Sequence, residues 1–317
     1  MPPEPVLLHE HNDFRPLLDA VAQAEKIADP VLVEKDYWIM HVLFGLRQLG
    51  LEFQLKGGTS LSKGFQIIHR FSEDIDIKIE PFDGIEVDTN PNHEKQTHIE
   101  SRRQFFEKLR TKLVIPGITS VERDTAYDDA SLRNAGIRLL YKSLYGPKEG
   151  LKDGILLEAG FSKTSPNQTV TISSWAYNFA EQNKVDCRDN RAIAVVCYNP
   201  EYTFVEKLQT ITKKFRQFAE SGTMPTNFLR HYYDVAQLLE VERVQKFIGT
   251  PEYLEHKKTW FRSENQNLQA TDAFTLLDPK NRELFTKEYA KTEALYYRGQ
   301  VPLDTILGRI KKDLHRL

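Results

Sequence analysis

The sequence predicts an α+β fold, with a mixed α/β domain in residues 1–198 and a helical domain in residues 199–317. Three observations support this division. The segment "DIDIKIE" alternates apolar and polar residues with the period of a β-strand. Four further strand-like segments follow it before residue 199. Beyond that point the apolar residues recur at helical spacing, in a stripe that begins at Phe204.

The first ~50 residues predict two helices. The second of them is marked at both ends. Asp29 is suited to cap it, Pro30 fits its first position, and Gly50 is suited to end it. Its apolar residues recur at helical spacing and predict a buried face: Val33, Tyr37, Met40 and Phe44.

The predicted strands are "LEFQL", "DIDIKIE", "AGIRLLYKSLYG", "DGILLEAGF", "QTVTISSW" and "AIAVVCY". Between the first two, a helix is predicted from near Thr59 to Ile68. The polar residues 81–98 predict a loop, and a helix follows from about Ile99 to Leu113. After Asn199, a capping residue, the remaining segments are predicted to be mostly helical, including "NFLRHYYDVAQLLE".

The composition is that of a globular protein, with 40% hydrophobic and 28% charged residues and a formal net charge of −2. Because strong nonspecific nucleic-acid binders are usually basic, this charge argues against a broad RNA surface. Cys187 and Cys197 lack metal-ligand spacing and a disulfide framework, which fits a reducing compartment. With no signal-peptide pattern and no long apolar run, the sequence predicts a cytoplasmic protein without a membrane partner.

Two aspartates share one face of the strand predicted at "DIDIKIE". Asp74 and Asp76 are two positions apart, so their side chains point the same way, with backbones roughly 7 Å apart. Like charges on one face repel and lose solvation, and a divalent cation compensates both effects. A solvated strand face is the alternative interpretation, because the chain has 45 acidic residues and such a pair arises easily by chance.

The residues before this strand are typical of a phosphate-binding turn. Gly57 and Gly58 follow a predicted strand, and Thr59 and Ser60 open a predicted helix. Glycine lets the backbone approach an anion, and the free N–H groups at a helix start attract it. The combination of this turn with the paired carboxylates predicts a Mg²⁺ ion beside nucleotide phosphates.

The segment "KGGTSLSKGFQIIHRFSEDIDIKI" resembles the first motif of the AbiEii/AbiGii toxin family, a branch of the polymerase-beta-like nucleotidyltransferases. The family pattern is Gly-Gly-Thr, a short helix and Arg-x-Ser-x-Asp-x-Asp. The matching residues are Gly57, Gly58, Thr59, Arg70, Ser72, Asp74 and Asp76. The resemblance implies that the aspartates hold metal. Arg70 either binds phosphate or fixes the loop, and Ser72 either donates to the triphosphate or caps the turn.

Other segments resemble the family in the same order, over roughly residues 30–240. They are "VEKDYW", "ILLEAGF", "EKLQTITKKFR" and "RHYYDVAQLL". The resemblance places Glu158 as a third acidic residue and puts Lys207 and Asp234 in functional positions. His231 and Tyr232 depart from the commoner Arg-Asp of the last element, so only Arg230 and Asp234 carry over from it.

Each of these later residues has a second interpretation. Glu158 either binds a metal or acts as general base, or it is a strand-face residue paired with an arginine. Lys207 either reaches the triphosphate or is a solvated helix lysine. Asp234 either faces the site or pairs with Arg230 one helical turn away. His93 and His98 lack partners at ligand spacing in the sequence, so we expect them to be surface histidines.

The resemblance implies a toxin of a bacterial toxin–antitoxin or phage-defence system, neutralised by a cognate antitoxin. The expected reaction is Mg²⁺-dependent transfer of a nucleotidyl group from an NTP to an acceptor, most naturally a tRNA 3′ end. A helical domain that closes over the nucleotide is expected after the catalytic domain. Two alternatives are a phosphotransferase that modifies protein hydroxyls, its own Ser72 included, and an inactive NTP-binding module.

Overall fold

The computed structural model describes residues 4–148, 150–261 and 267–317. The described chain divides into two compact units. The first unit comprises Met1–Gly64 and Phe71–Tyr198, and the second comprises Phe65–Arg70 and Asn199–Leu317. The short segment 65–70 therefore belongs to the second unit, although it lies within the part of the sequence that otherwise forms the first.

The described part of the first unit contains one seven-stranded sheet. Its strands are β1 (Phe53–Lys56), β2 (Asp74–Ile79), β3 (Ile118–Arg123), β4 (Asn134–Tyr141), β5 (Ile155–Gly160), β6 (Asn167–Ile172) and β7 (Ala192–Tyr198). The spatial order is β3-β4-β5-β2-β1-β7-β6. The β2–β5 and β1–β7 pairs are parallel and the other pairs are antiparallel, so the predicted mixed sheet is confirmed.

The helices of the first unit are α1 (Phe14–Ala24), α2 (Pro30–Gln48), α3 (Gly57–Thr59), α4 (Gln96–Lys112) and α5 (Trp175–Gln182). Helix α2 begins as its sequence predicts, because the Asp29 side chain accepts a hydrogen bond of 2.9 Å from the Val31 N–H. It packs against β5 and β7. The predicted apolar face, including Val33 and Tyr37, is buried.

The helix predicted from Thr59 to Ile68 is wrong in its extent. The helical segment begins at Gly57 and continues as a π-helix over Ser60–Gly64, where it ends. Gln66 then adopts a left-handed backbone conformation with φ of +56°, which no α-helix accommodates. Two further elements, β3 and α5, are absent from the sequence prediction. The β3 strand has no buried residue, so its sequence lacks an apolar stripe.

The helices of the second unit are α6 (Pro200–Ser221), α7 (Arg230–Leu238), α8 (Glu242–Phe247), α9 (Pro251–Trp260), α10 (Pro279–Ala290) and α11 (Leu303–Asp313). Helix α6 is the centre of the unit and packs against α7, α8 and α9. Its apolar stripe is buried as predicted, with Phe204, Leu208 and Ile211 fully inaccessible to solvent. In the described ranges, no helix is long and apolar enough to cross a membrane.

Candidate active site

Three acidic residues converge on one face of the sheet in the first unit. The β2–β5 register pairs Asp76 with Glu158, and the β1–β2 register pairs Lys56 with Asp76. Because paired residues on neighbouring strands point to the same face, Asp76 and Glu158 lie side by side. Asp74 lies two residues before Asp76 and therefore points to that face as well. The structure thus places the three predicted metal ligands on one face of the sheet.

This cluster carries more negative than positive charge. Asp74 is 6% exposed, and burial raises the pKa of Glu158 to about 8, with Asp76 and Asp74 adding to the rise. Lys152 and Lys56 counteract this rise only in part. A raised carboxyl pKa reports that a further negative charge here is costly, which is the condition that a bound cation relieves.

Lys152 contacts the carboxylate of Asp74. Its ammonium nitrogen lies 2.7 Å from Oδ1 and 2.8 Å from Oδ2, and it also lies 4.8 Å from the centre of the Tyr127 ring. No sequence pattern points to Lys152, since it lies 78 residues from Asp74 in a turn-rich segment without a strand or helix pattern. The Lys152 ammonium therefore neutralises the negative charge of the Asp74 carboxylate.

Position 57 requires glycine for two reasons, its backbone conformation and the closeness of Asp76. It has a φ of +72°, in the left-handed region that favours glycine. A Cβ atom built there collides with the Asp76 carboxylate and lies 3.0 Å from its Cγ atom. The predicted glycine turn therefore packs directly against one of the predicted metal ligands.

The other residues of this turn are held inside the unit. Gly58, Thr59 and Ser60 are buried. The Thr59 hydroxyl donates to the Asp74 carbonyl at 2.5 Å, and the Ser60 hydroxyl donates to the Gly57 carbonyl at 3.0 Å. These bonds tie the turn to the start of β2. The role of these residues in nucleotide binding stays a prediction.

A cavity of about 360 Å³ opens beside the carboxylates. Its lining residues are Lys56, Asp76, Ala126, Tyr127, Asp128, Asp129, Asn134 and Glu158. Asp128 pairs with Arg123 at 2.8 Å and Asp129 pairs with Arg133 at 2.8 Å, so both of these lining carboxylates have their own cation. The volume lies within the range of small-molecule sites, roughly 300–1,000 Å³.

The second unit contains a different charged cluster. Arg70 donates from Nε to Asp234 Oδ1 at 2.6 Å and from Nη2 to Oδ2 at 2.7 Å. Lys207 donates to the same Oδ2 at 2.6 Å. Asp234 is fully buried, Arg70 is 2% exposed and Lys207 is 6% exposed. Burial opposes the charge on Asp234, but the two cations outweigh burial and hold the pKa of its carboxyl well below the usual range.

This cluster decides between several of the sequence interpretations. Lys207 is not a solvated helix lysine, because it is buried against Asp234. Arg70 contacts the Asp234 carboxylate through two parallel bonds, as the second interpretation of Arg70 expects, and its contact with phosphate stays a prediction. Ser72, half-buried, lies in the first unit. The predicted set of site residues is thus divided between the two units.

Comparison with known proteins gives the family. Residues 41–309 match the family described as "Nucleotidyl transferase AbiEii toxin, Type IV TA system". No curated protein matches the chain. The chain is similar to the solved structure of an antigenic nucleotidyltransferase-like protein from Paracoccidioides brasiliensis, at 14% identity and a TM-score of 0.37. That similarity covers 70% of this chain and 85% of the other.

The family match extends over most of the chain, from α2 to α11. It contains both charged clusters and the cavity beside the carboxylates. The family implies a nucleotide substrate and an antitoxin partner. The chain belongs to the AbiEii family of nucleotidyl transferase toxins and is a nucleotidyltransferase of a toxin–antitoxin system.

Proposed function

We propose that the protein transfers a nucleotidyl group from an NTP to an RNA acceptor in a Mg²⁺-dependent reaction, with the 3′ end of tRNA as the acceptor. The observation that carries this proposal is the sheet face shared by Asp74, Asp76 and Glu158, of which Asp76 and Glu158 line the cavity. Blocked tRNA stops translation, which accords with the family's description as a toxin. Action in the cytoplasm and in defence against phage belongs to the same proposal.

The donor set fits Mg²⁺. All three side chains offer carboxylate oxygens, which this hard cation prefers, together with substrate phosphates. The contact of the Lys152 ammonium with Asp74 supports this assignment, because a positive charge is stable beside that carboxylate. Asp74, Asp76 and Glu158 would hold the ion, which polarises the phosphate and stabilises charge on the attacking and leaving oxygens.

Glu158 is the proposed general base. A carboxylate oxygen of Glu158 takes the proton of the attacking hydroxyl as that hydroxyl bonds to the α-phosphorus and pyrophosphate leaves. Its place beside Asp76 on the neighbouring strand, in the lining of the cavity, suits it to this role when it does not bind the ion. Gly57 and Gly58 supply backbone close to the phosphates, and Thr59, Ser60 and Ser72 are the proposed hydroxyl donors.

In the second unit, Asp234 is proposed to act on Arg70 and Lys207 rather than on the substrate. Its carboxylate holds both cations in one place through the bonds at 2.6–2.7 Å. Arg70 and Lys207 are the proposed nucleotide-binding residues of this group. Asp234 is therefore a positioning residue in this proposal.

The test is incubation of the purified protein with Mg²⁺, each α-labelled NTP in turn, and total bacterial tRNA. We expect label in tRNA with one preferred NTP, and none with the Asp76→Ala variant. Label that persists in the variant places the metal site elsewhere. If label or γ-phosphate appears on protein instead of tRNA, the proposed acceptor is wrong and the reaction is protein modification. Binding of NTP without any product leaves an inactive binding module.

A further inference from the structure

Asp88, His93 and His98 converge in the segment between β2 and α4. His93 Nδ1 lies 2.7 Å from Asp88 Oδ2, and His98 Nδ1 lies 2.5 Å from the same oxygen. One ligand atom from each of the three residues lies within 4.8 Å of the others. The expectation that the two histidines lack a partner is wrong, because Asp88, five residues before His93, completes the set.

The backbone of this segment is fixed by Arg102, which is fully buried. Its guanidinium donates to the carbonyls of Asp88 at 2.7 Å, Asn90 at 2.7 Å and His93 at 2.8 Å. A fourth bond reaches the Ser131 carbonyl at 2.7 Å. A core residue therefore fixes the backbone that carries Asp88 and His93, and the Asn90 side chain lies 3.2 Å from the second nitrogen of His93.

We propose that Asp88, His93 and His98 bind a borderline divalent cation, of which Zn²⁺ is the representative. Two imidazole nitrogens and one carboxylate oxygen suit Zn²⁺, with water in the fourth position, whereas Mg²⁺ prefers oxygen ligands alone. His93 is exposed and Asp88 and His98 are half-buried, so the ion enters from solvent. The bound ion ties the loop after β2 to the first turn of α4.

The test is titration calorimetry with ZnCl₂ in excess Mg²⁺, which keeps the carboxylate cluster of the active site occupied. We expect about one Zn²⁺ per wild-type chain, lost in both His93→Gln and His98→Gln, together with a Zn²⁺-dependent rise in Tm that the same variants lack. His315→Gln, at an exposed position near the end of the chain, is the matched control. Zn²⁺ binding that is absent from the wild type, or unchanged in the two variants, overturns the proposal.

A second inference starts from the buried triplet Glu34, Lys35 and Asp36 of α2, all at most 2% exposed. Lys35 pairs with Glu73 at 3.2 Å and donates to the carbonyl of Lys152. The N–H of Lys152 donates to Glu73 at 2.8 Å. One buried ion pair thus holds both main-chain polar groups of Lys152.

The other members of the triplet hold neighbouring parts of the site. Glu34 accepts from the Ser143 hydroxyl at 2.7 Å and the Leu144 N–H at 2.8 Å, which anchors the start of the segment that leads to Lys152. Asp36 pairs at 2.8 Å with Lys63, in the π-helix that follows the glycine turn. Burying a charge is costly unless the charge is paired and hydrogen-bonded. Glu34 and Lys35 make these bonds to the loop that carries Lys152, and Asp36 makes its ion pair to the π-helix.

We infer that Lys152 is a resident cation of the active site, which a divalent ion displaces from Asp74 and which then contacts the negative charge of the bound triphosphate. Lys35 and Glu73 are the positioning residues, because they hold the main chain of Lys152 and so keep its ammonium within reach of the site. The inference rests on the proposed function of the carboxylate cluster. If the Lys152–Asp74 ion pair were only structural, its loss would leave the Asp74 side chain disordered and would weaken metal binding.

The test measures the binding of Mn²⁺ alone to the wild type and to Lys152→Gln, with electron paramagnetic resonance as the readout. Because the competing ammonium is gone, we expect about tenfold tighter Mn²⁺ binding in the variant, with a higher KM for NTP. Lys148→Gln, in the same loop but paired with Asp29, is the control.

Unchanged or weaker Mn²⁺ binding in Lys152→Gln overturns the inference and makes Lys152 a structural ion pair. Failure of the proposed function gives a different result, since Mn²⁺ binding is then insensitive to Asp76→Ala as well. If Lys35→Met folds, it releases the clamp on Lys152, and we expect a smaller change in the same direction as Lys152→Gln.

Discussion

The two charged clusters of this protein differ in their balance of charge. In the first unit, Asp74, Asp76 and Glu158 share one face of the sheet with Lys56. Lys152 contacts Asp74, and Asp76 and Glu158 line a cavity. In the second unit, the buried Asp234 carboxylate is bound by both Arg70 and Lys207. The first cluster has carboxylates in excess and an opening, whereas the second has its carboxylate saturated and no exposure of Asp234.

The difference teaches how to separate function from stability among charged residues. A carboxylate that raises the pKa of a neighbouring carboxyl destabilises the fold without a ligand, and it favours the binding of a cation. A carboxylate whose pKa is lowered by buried cations stabilises the fold, because it supplies a counter-charge that those cations lose when it is removed. Substitution of Asp76 should therefore slow transfer without loss of stability, whereas substitution of Asp234 should lower stability as well as release the two cations that it holds.

Asp76→Asn is expected to have the largest effect, on activity. Loss of this ligand should lower the rate of nucleotidyl transfer by at least about a thousandfold, because metal stabilisation of the reacting phosphate contributes several kcal/mol. The free energy of unfolding should stay equal or rise, since a repelling charge is removed. Single-turnover transfer and urea unfolding measure the two quantities. Asp83→Asn, at an exposed aspartate paired with Lys112, is the control and should change neither.

Asp234→Asn is expected to lower stability by about 3–5 kcal/mol, because it leaves Arg70 and Lys207 buried without their counter-charge. Urea unfolding measured in the presence and absence of Mg²⁺ checks this, and the loss should be equal in both. Asp304→Asn removes an exposed ion pair to Arg282 in the same unit and should cost about 1 kcal/mol or less. If Asp234→Asn and Asp304→Asn lose equal free energy of unfolding, the buried Asp234 cluster does not stabilise the fold more than an exposed ion pair does.

Gly57→Ala should perturb the first cluster without changing its charge. The left-handed backbone conformation costs about 1–2 kcal/mol for alanine, and the new methyl group displaces the Asp76 carboxylate. A displacement of this kind is expected to slow transfer by about a hundredfold. Gly84→Ala is the matched control, since Gly84 has φ of +66° but open space around it. It should lose similar stability and keep full activity.

The smallest expected effect is on the pH dependence of stability in EDTA. The pKa of Glu158 rises from 4.5 to about 8, so the folded state keeps a proton that the unfolded chain has lost. Stability therefore falls as pH rises through that window. The lowered pKa of Asp234 has the opposite sign, and its contribution is lost as pH falls below the usual carboxyl range. A Tm series should show the alkaline loss in the wild type and not in Glu158→Gln.

The sequence predicted the mixed sheet, the shared face of Asp74 and Asp76, and the glycine turn beside them, because each depends on local spacing. It did not predict the contact of Lys152 with Asp74 or of Asp88 with two histidines, because Lys152, Asp88 and His93 lie in loops without periodicity. The partners of Asp234 were equally inaccessible, since its bond to Arg70 joins residues 164 positions apart. Local patterns identify elements, whereas contacts between distant loops require the fold.

Because segment 65–70 belongs to the second unit, cutting the chain after residue 198 separates Arg70 from its ion-pair partner Asp234. The chain passes between the two units three times, after Gly64, Arg70 and Tyr198. A fragment that ends at Tyr198 therefore contains Arg70 but lacks its carboxylate partner, and a fragment that starts at Asn199 contains Asp234 but lacks Arg70. Neither half is a self-sufficient module, and co-expression of the two fragments is the appropriate way to test whether they reassemble.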